Sequence, residues 1–161
     1  MAKDQKTNAA RILEKTGAQY TLHDYPHEEG VAVDGVTMAA LINEDEQKVF
    51  KTLVTQGASR NYFVFVVPVA KELDLKAAAK SVGEKSVQMI HVADINKVTG
   101  YVRGGCSPLG MKKLFVTVFD ESALLQDKMY VSAGRIGTMI CCKPDDLIKA
   151  VNGKTAKITH E

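Results

Sequence analysis

Residues 49–69 read VFKTLVTQGASRNYFVFVVPV, and this stretch decides the fold. Both ends are rich in β-branched and aromatic residues, and GASRN (57–61) separates them. That is the pattern of two strands joined by a longer hairpin loop. YFVFVVPV (62–69) is apolar on both faces, as expected of a central strand. VFKTLV (49–54) differs, because a lysine interrupts it. Side chains alternate along a strand, so Val49, Lys51 and Leu53 share one face, and Phe50, Thr52 and Val54 the other. Lysine is almost never fully buried unless paired. Lys51 therefore reaches solvent from a sheet edge, or its face lines a polar cavity.

Working outward, residues 7–16 carry a helical pattern, with Thr7 or Asn8 as cap and Gly17 as stop. YTLHDY (20–25) alternates like a strand, and TMAALI (37–42) is a short helical pattern. Residues 73–82 predict a helix ended by Gly83, VQMI (87–90) a strand, and residues 93–98 a helical turn ended by Gly100. LFVTVF (114–119), MYVSAG (129–134) and IGTMICC (136–142) read as strands, with a short helical piece at SALL (122–125). Pro144 opens a helix with Asp145 and Asp146 in its first turn, where the dipole favours acids. TAKI (155–158) adds a last strand. Strands outnumber helices without alternating regularly with them, so the class is α+β: a mixed sheet with helices packed around it. The chain has 161 residues, no repeat and no linker, and reads as a single domain over 1–161.

Composition sets limits on function. The net charge of +2 supplies no global basic field for bulk nucleic-acid binding. Charge is uneven, however: Lys97, Arg103, Lys112 and Lys113 fall in one stretch without an acid. Cys106, Cys141 and Cys142 form no CxxC pair, which argues against a disulfide framework or a four-cysteine zinc site and fits a reducing cytoplasm. The polar, amphipathic N-terminus lacks the apolar core of a signal peptide, and no run approaches a membrane span. His23, His27, His91 and His160 are scattered without metal-like spacing, and Ser107 in GCSPLG sits in no GxSxG elbow. YVRGGCSPLG (101–110) is more informative. Its glycines let a backbone reach positive φ and present N–H groups closely to a ligand, or they simply make a turn. Ser132 in YVSAGRIG likewise either projects a hydroxyl into a pocket or satisfies its own turn.

Taken together, YTLHDY, VFKTLV, LKAAAKSVG, TGYVRGGCSPLGMKK, MYVSAGRIG and PDDLIKAV run in order over nearly the whole chain. In these stretches the chain resembles the YbaK/EbsC family of Cys-tRNA(Pro) deacylases, relatives of the editing domain of bacterial prolyl-tRNA synthetase. The resemblance implies a curved mixed sheet whose cleft takes the 3′ end of a mischarged tRNA, with no metal or organic cofactor. It implies an essential lysine at Lys51, with Tyr25, Thr52, Gly104 and Ser132 around the substrate. An aromatic residue expected before the loop glycine is missing, since the local sequence is AVDGV (32–36).

The expected reaction is cleavage of the aminoacyl ester of Cys-tRNA(Pro), and possible substrates extend to Cys-tRNA(Cys). Lys51 acts there as a cation, and the amides of Gly104 and Gly105 donate to the oxyanion. No strong general base is visible, which suits a substrate whose own thiol attacks its ester. Arg103, Lys112 and Lys113 offer phosphate contacts, which position rather than specify. Selection of the tRNA then falls to prolyl-tRNA synthetase in a transient complex, as the resemblance implies. Two alternatives stand beside this reading: a deacylase for Ala-tRNA(Pro) or another small aminoacyl-tRNA, and a non-catalytic module that binds tRNA ends or the synthetase.

Overall fold

A computed structural model describes residues 7–160. Helix α1 (Asn8–Lys15) starts where the Thr7 hydroxyl accepts from the Ala10 N–H at 3.2 Å, and it buries Ala9, Ala10 and Leu13. Strand β1 (Tyr20–Asp24) follows, then α2 (Gly35–Leu41), whose cap Asp34 accepts from the Thr37 N–H. The opening hairpin becomes β2 (Phe50–Gly57) and β3 (Tyr62–Pro68), paired antiparallel from Phe50↔Pro68 to Gln56↔Tyr62. Next come α3 (Leu75–Ser81), β4 (Val87–Met89) and α4 (Ile95–Thr99). A long glycine-rich loop leads to β5 (Val116–Asp120). The chain ends in β6 (Met129–Arg135), β7 (Thr138–Cys142), α5 (Pro144–Ala150) and β8 (Lys154–Ala156).

Two sheets result. One is antiparallel, in the order β1-β7-β6; the other is mixed, in the order β4-β2-β3-β5-β8. β3 is indeed central, parallel to β5 on one side and antiparallel to β2 on the other. The curved sheet expected from the sequence is thus split in two, and a parallel bridge between Val49 and Tyr130 joins the halves. One apolar core gathers α1, α5, β6 and β7 around Leu13, Phe50, Ile140 and Leu147. A second packs α3 on β3 and β5 through Phe65, Ala78 and Val118. A third, with Tyr25, Met38, Val49, Val69 and Tyr130, fills the space where the two sheets meet.

Three boundaries differ from the sequence pattern for identifiable reasons. β5 starts at Val116, not at Leu114, because its parallel partner β3 begins only at Tyr62 and the first pair is Phe63↔Val116. α3 starts at Leu75, because Asp74 is its cap and accepts from the N–H groups of Lys76 and Ala77. β8 ends at Ala156, because Ile158 turns its N–H to the Asp120 carboxylate at 3.1 Å. Among the described residues, no helix is long and apolar enough to cross a membrane.

Candidate active site

The site is built on the outer edge of β2, opposite β3. At its start, the Val49–Tyr130 bridge ties this edge to β6. Farther on, Thr55–Gly57 pair with β4, and the Val54 carbonyl accepts from the Ile90 N–H at 3.2 Å. Between these attachments, at Lys51–Leu53, no strand among the described residues pairs this edge. The two sheets therefore part at Lys51. Carrying the parallel register on from Val49 and Tyr130 sets Lys51 level with Ser132, and both side chains take the same face. Lys51 is half-buried and makes no hydrogen bond or ion pair among the described residues.

Thr52 faces the other side of β2, with Phe50 and Val66. Its hydroxyl oxygen is sealed from solvent and has no hydrogen-bond partner among the described residues. Native proteins rarely leave such a group unmet; its place on the core face, away from Lys51, corrects the expectation that Thr52 lies beside the substrate. Tyr25 is only 4% exposed; its ring packs with Val49, Val69 and Met139 in the core beneath the parting of the sheets.

The glycine loop approaches from the side of the β6–β7 turn. Gly105 donates its N–H to the Val102 carbonyl at 2.9 Å, closing a tight turn in which Gly104 takes φ +86°. That is the left-handed geometry a glycine supplies without a steric cost. Gly105 serves a different need. A Cβ there would lie 2.9 Å from the Ile136 nitrogen and 3.0 Å from the Arg135 Cα, so only glycine allows this backbone-to-backbone approach. The expected pair of amide donors is thereby corrected. The Gly105 N–H is engaged inside its own turn, whereas the Gly104 N–H has no hydrogen bond among the described residues.

Ser132 also does both things weighed from the sequence. Its oxygen accepts from the Gly134 N–H at 3.1 Å within a bulge between Ser132 and Arg135, and its O–H stays available to donate. Of the three basic residues, Arg103 projects from the exposed turn between Val102 and Gly104, and Lys113 is exposed. Lys112 is partly committed, since its ammonium donates to the Lys97 carbonyl at 3.1 Å.

The sequence reading missed the supports behind these groups. Tyr130 donates to the Glu44 carboxylate at 2.7 Å, and Lys128 pairs with the same carboxylate at 3.2 Å. The Tyr130 hydrogen bond holds Glu44 below the usual carboxylate range, and burial pushes the Tyr130 phenol up. This cluster clamps the loop after α2 to β6 beside the Val49–Tyr130 bridge. At the other end of β6, Arg135 donates to the Thr138 hydroxyl at 3.1 Å, which donates to Asp24 at 2.8 Å. The only signal in the sequence was MYVSAGRIG itself, which contains Tyr130 and Arg135 without naming their partners. The cysteines are passive: burial raises the Cys106 thiol to about 11 and the Cys142 thiol to about 12. Thiols so shifted are poor nucleophiles.

Residues 30–150 match the family model of the aminoacyl-tRNA editing domain. This chain belongs to that family. A curated relative from Enterococcus faecalis, provisionally named Cys-tRNA(Pro)/Cys-tRNA(Cys) deacylase EbsC, is 40% identical over 155 residues, covering 96% of this chain and 94% of the relative. Two solved structures share the fold. A hypothetical protein superposes with a TM-score of 0.82 at 22% identity, covering 93% of this chain and 97% of its own. A structure provisionally described as a trans-editing enzyme for prolyl-tRNA synthetase gives 0.77 at 19%, covering 88% and 87%. The editing-domain match includes Lys51, Thr52, Gly104, Gly105 and Ser132, while Tyr25 lies ahead of it.

Proposed function

We propose that this editing domain is a deacylase that acts in trans on Cys-tRNA(Pro), and also on Cys-tRNA(Cys), at the parting of the two sheets around Lys51. One observation carries the reading: among the described residues, the Lys51 ammonium has no partner and stands on a stretch of β2 edge that no strand covers, where the register from Val49 and Tyr130 leads to Ser132. The whole chain, 1–161, acts as one such domain, and its relative named as a Cys-tRNA deacylase supports the choice of substrate.

The ester of the terminal adenosine lies over Lys51. The Ser132 O–H donates to a substrate oxygen, the Gly104 N–H meets the oxyanion, and the Tyr25 ring walls the amino-acid side. Lys51 works as a cation. It steadies charge on the ester oxygen and holds the neighbouring phosphate. The cysteine thiol of the substrate supplies the nucleophile. Its sulfur bonds to its own carbonyl carbon, the ester C–O bond breaks, and the ribose oxygen takes up the proton the thiol has lost. Water then opens the released thiolactone. Holding thiol and carbonyl together supplies much of the barrier reduction, so no general base of the protein is required. Arg103, Lys112 and Lys113 contact backbone phosphates, and prolyl-tRNA synthetase, in a transient cytoplasmic complex, selects the tRNA.

The test is a panel of aminoacyl-tRNAs, including Cys-tRNA(Pro), Cys-tRNA(Cys) and Ala-tRNA(Pro), with the parent and Lys51→Ala. Rapid release of cysteine, slow release of alanine and a large loss in the variant are expected. Alanine released as fast as cysteine removes the thiol-assisted mechanism. Equal rates for Lys51→Ala and the parent remove the catalytic assignment of Lys51, and a parent no faster than buffer leaves a tRNA-binding module.

A further inference from the structure

Away from Lys51, the far ends of β2, β3 and β4 form a second concavity of about 540 Å³, bounded by the start of α4. That volume lies in the range of small-ligand sites. Its floor is unusual. Gln56 is registered opposite Tyr62 on β3 and opposite Gln88 on β4, so Tyr62, Gln56 and Gln88 form one row on one face of three adjacent strands. The Tyr62 ring is half-buried and held by an edge contact with Phe115, centroids 5.9 Å apart. The Gln56 amide is also oriented, donating to the Arg60 carbonyl at 3.0 Å.

At the rim stand Arg60 and His91, both exposed. Arg60 takes φ +77°, a left-handed conformation that a side chain of its kind adopts at a cost. The rim carboxylate Asp94 is answered by Lys97 at 3.5 Å, and Glu84, which lies against Gly57, accepts from the Ser59 hydroxyl at 2.7 Å. A flat aromatic ring, two amides that each both donate and accept, and a projecting guanidinium match the parts of a nucleotide. The ring offers a stacking face, the amides read a base edge, and Arg60 meets a phosphate.

We infer that the Tyr62–Gln56–Gln88 row is a second RNA contact, which binds one unpaired nucleotide of the tRNA. The inference rests on the tRNA-deacylase reading for its occupant. Gln56 lies five residues beyond Lys51 on β2, or about 16 Å. The row therefore holds a part of the tRNA other than the ester-bearing adenosine, and contributes affinity rather than chemistry.

The test uses Gln88→Ala, on an exposed edge strand, and Tyr62→Leu. Binding of uncharged tRNA(Pro) and of a single-stranded RNA pentamer is followed by fluorescence anisotropy, and deacylation at saturating Cys-tRNA(Pro) in parallel. Both variants should bind each RNA roughly tenfold more weakly, with kcat unchanged. Arg60→Asn, which tolerates the positive φ, should lower the salt slope of tRNA binding by about one. NMR of the parent with the pentamer should move the side-chain amide signals of Gln56 and Gln88, a readout that does not depend on any variant folding. Parent-like RNA affinity in natively melting Gln88→Ala and Tyr62→Leu overturns the inference, as does a pentamer that leaves both amides unmoved. If the pentamer moves the amides but no aminoacyl-tRNA is cleaved, the deacylase reading falls and this one stands.

Discussion

Thr52 and Lys51 are neighbours with opposite difficulties. Among the described residues, the Lys51 ammonium has no partner, and it stays partly hydrated. The Thr52 hydroxyl is cut off from water and has none either. Leaving a buried hydroxyl unmet costs about 1–3 kcal/mol. Thr52→Val keeps the shape and removes that penalty. Its thermal midpoint should rise, by an amount equivalent to about 1 kcal/mol, while kcat/KM on Cys-tRNA(Pro) stays close to the parent's, because the hydroxyl faces away from Lys51. Calorimetry beside steady-state kinetics checks both halves; a variant less stable than the parent shows that the hydroxyl was satisfied after all. Lys51 should behave in the opposite way. Lys51→Ala should melt within about 0.5 kcal/mol of the parent, as for a half-exposed site without partners, yet lose about 10²–10³ in kcat. Lys51→Arg keeps the charge and should recover part of that loss if the cation is what matters.

At the scale of elements, the glycine loop and β6 hold the site together, and two substitutions separate their roles. Gly104→Ala meets a positive φ and an Ala32 Cβ at 2.6 Å, which belongs to a loop able to give way. Gly105→Ala meets the backbone of Arg135 and Ile136 at 2.9–3.0 Å, and backbone cannot yield without moving the β6–β7 turn. Both should destabilise by about 1–3 kcal/mol, but Gly105→Ala should also displace Ser132 and so raise KM. The Glu44–Tyr130 clamp adds a pH signature. Because the Tyr130 hydrogen bond depresses the Glu44 titration in the fold, the pair stabilises above the carboxyl's ordinary value of 4.5. That stability drains away as pH falls through the lower, folded-state value. In Tyr130→Phe the midpoint should fall less steeply below pH 4.5, and the variant should be less stable near neutrality. Melting curves across pH 3–7 resolve it. None of this was visible in the string of residues. The hairpin, the opening of α5 at Pro144 and the central strand rest on local pattern, and those the sequence carried well. Gly105 against Arg135, or Lys51 level with Ser132, are encounters between distant segments, for which the residues alone supplied family likeness and no geometry.

Across the whole molecule, stability and chemistry share one end of the mixed sheet, two strands apart: Lys51 pairs with Val67, and the β3–β5 register that sets Phe119 beside Val66 brings Asp120 level with it. There Asp120 closes β5 with a carboxylate that is 3% exposed. One of its oxygens accepts from the Ile158 N–H at 3.1 Å and the Thr159 hydroxyl at 3.2 Å; the other accepts from the Ser122 N–H and hydroxyl. Ile158 itself is fully buried in the α3 core, and its carbonyl accepts from the Asp74 N–H at 2.7 Å. The final residues are thus a strap that covers β5 and steadies the start of α3. The sequence offered only TAKI as a strand there, since an acid at a strand end looks like any loop residue until its partners are known. Asp120→Ala strands several buried donors at once and should lower stability by about 3 kcal/mol or more. The register that sets Lys51 beside Ser132 runs through β2 and β6 and does not pass through this strap. Below its lowered melting point, Asp120→Ala should therefore keep parent-like kcat and KM on Cys-tRNA(Pro). A kcat that falls at temperatures where circular dichroism still reports a native fold would show that the strap and the site are coupled across β3, and that the parting of the sheets depends on the strap as well as on the Val49–Tyr130 bridge.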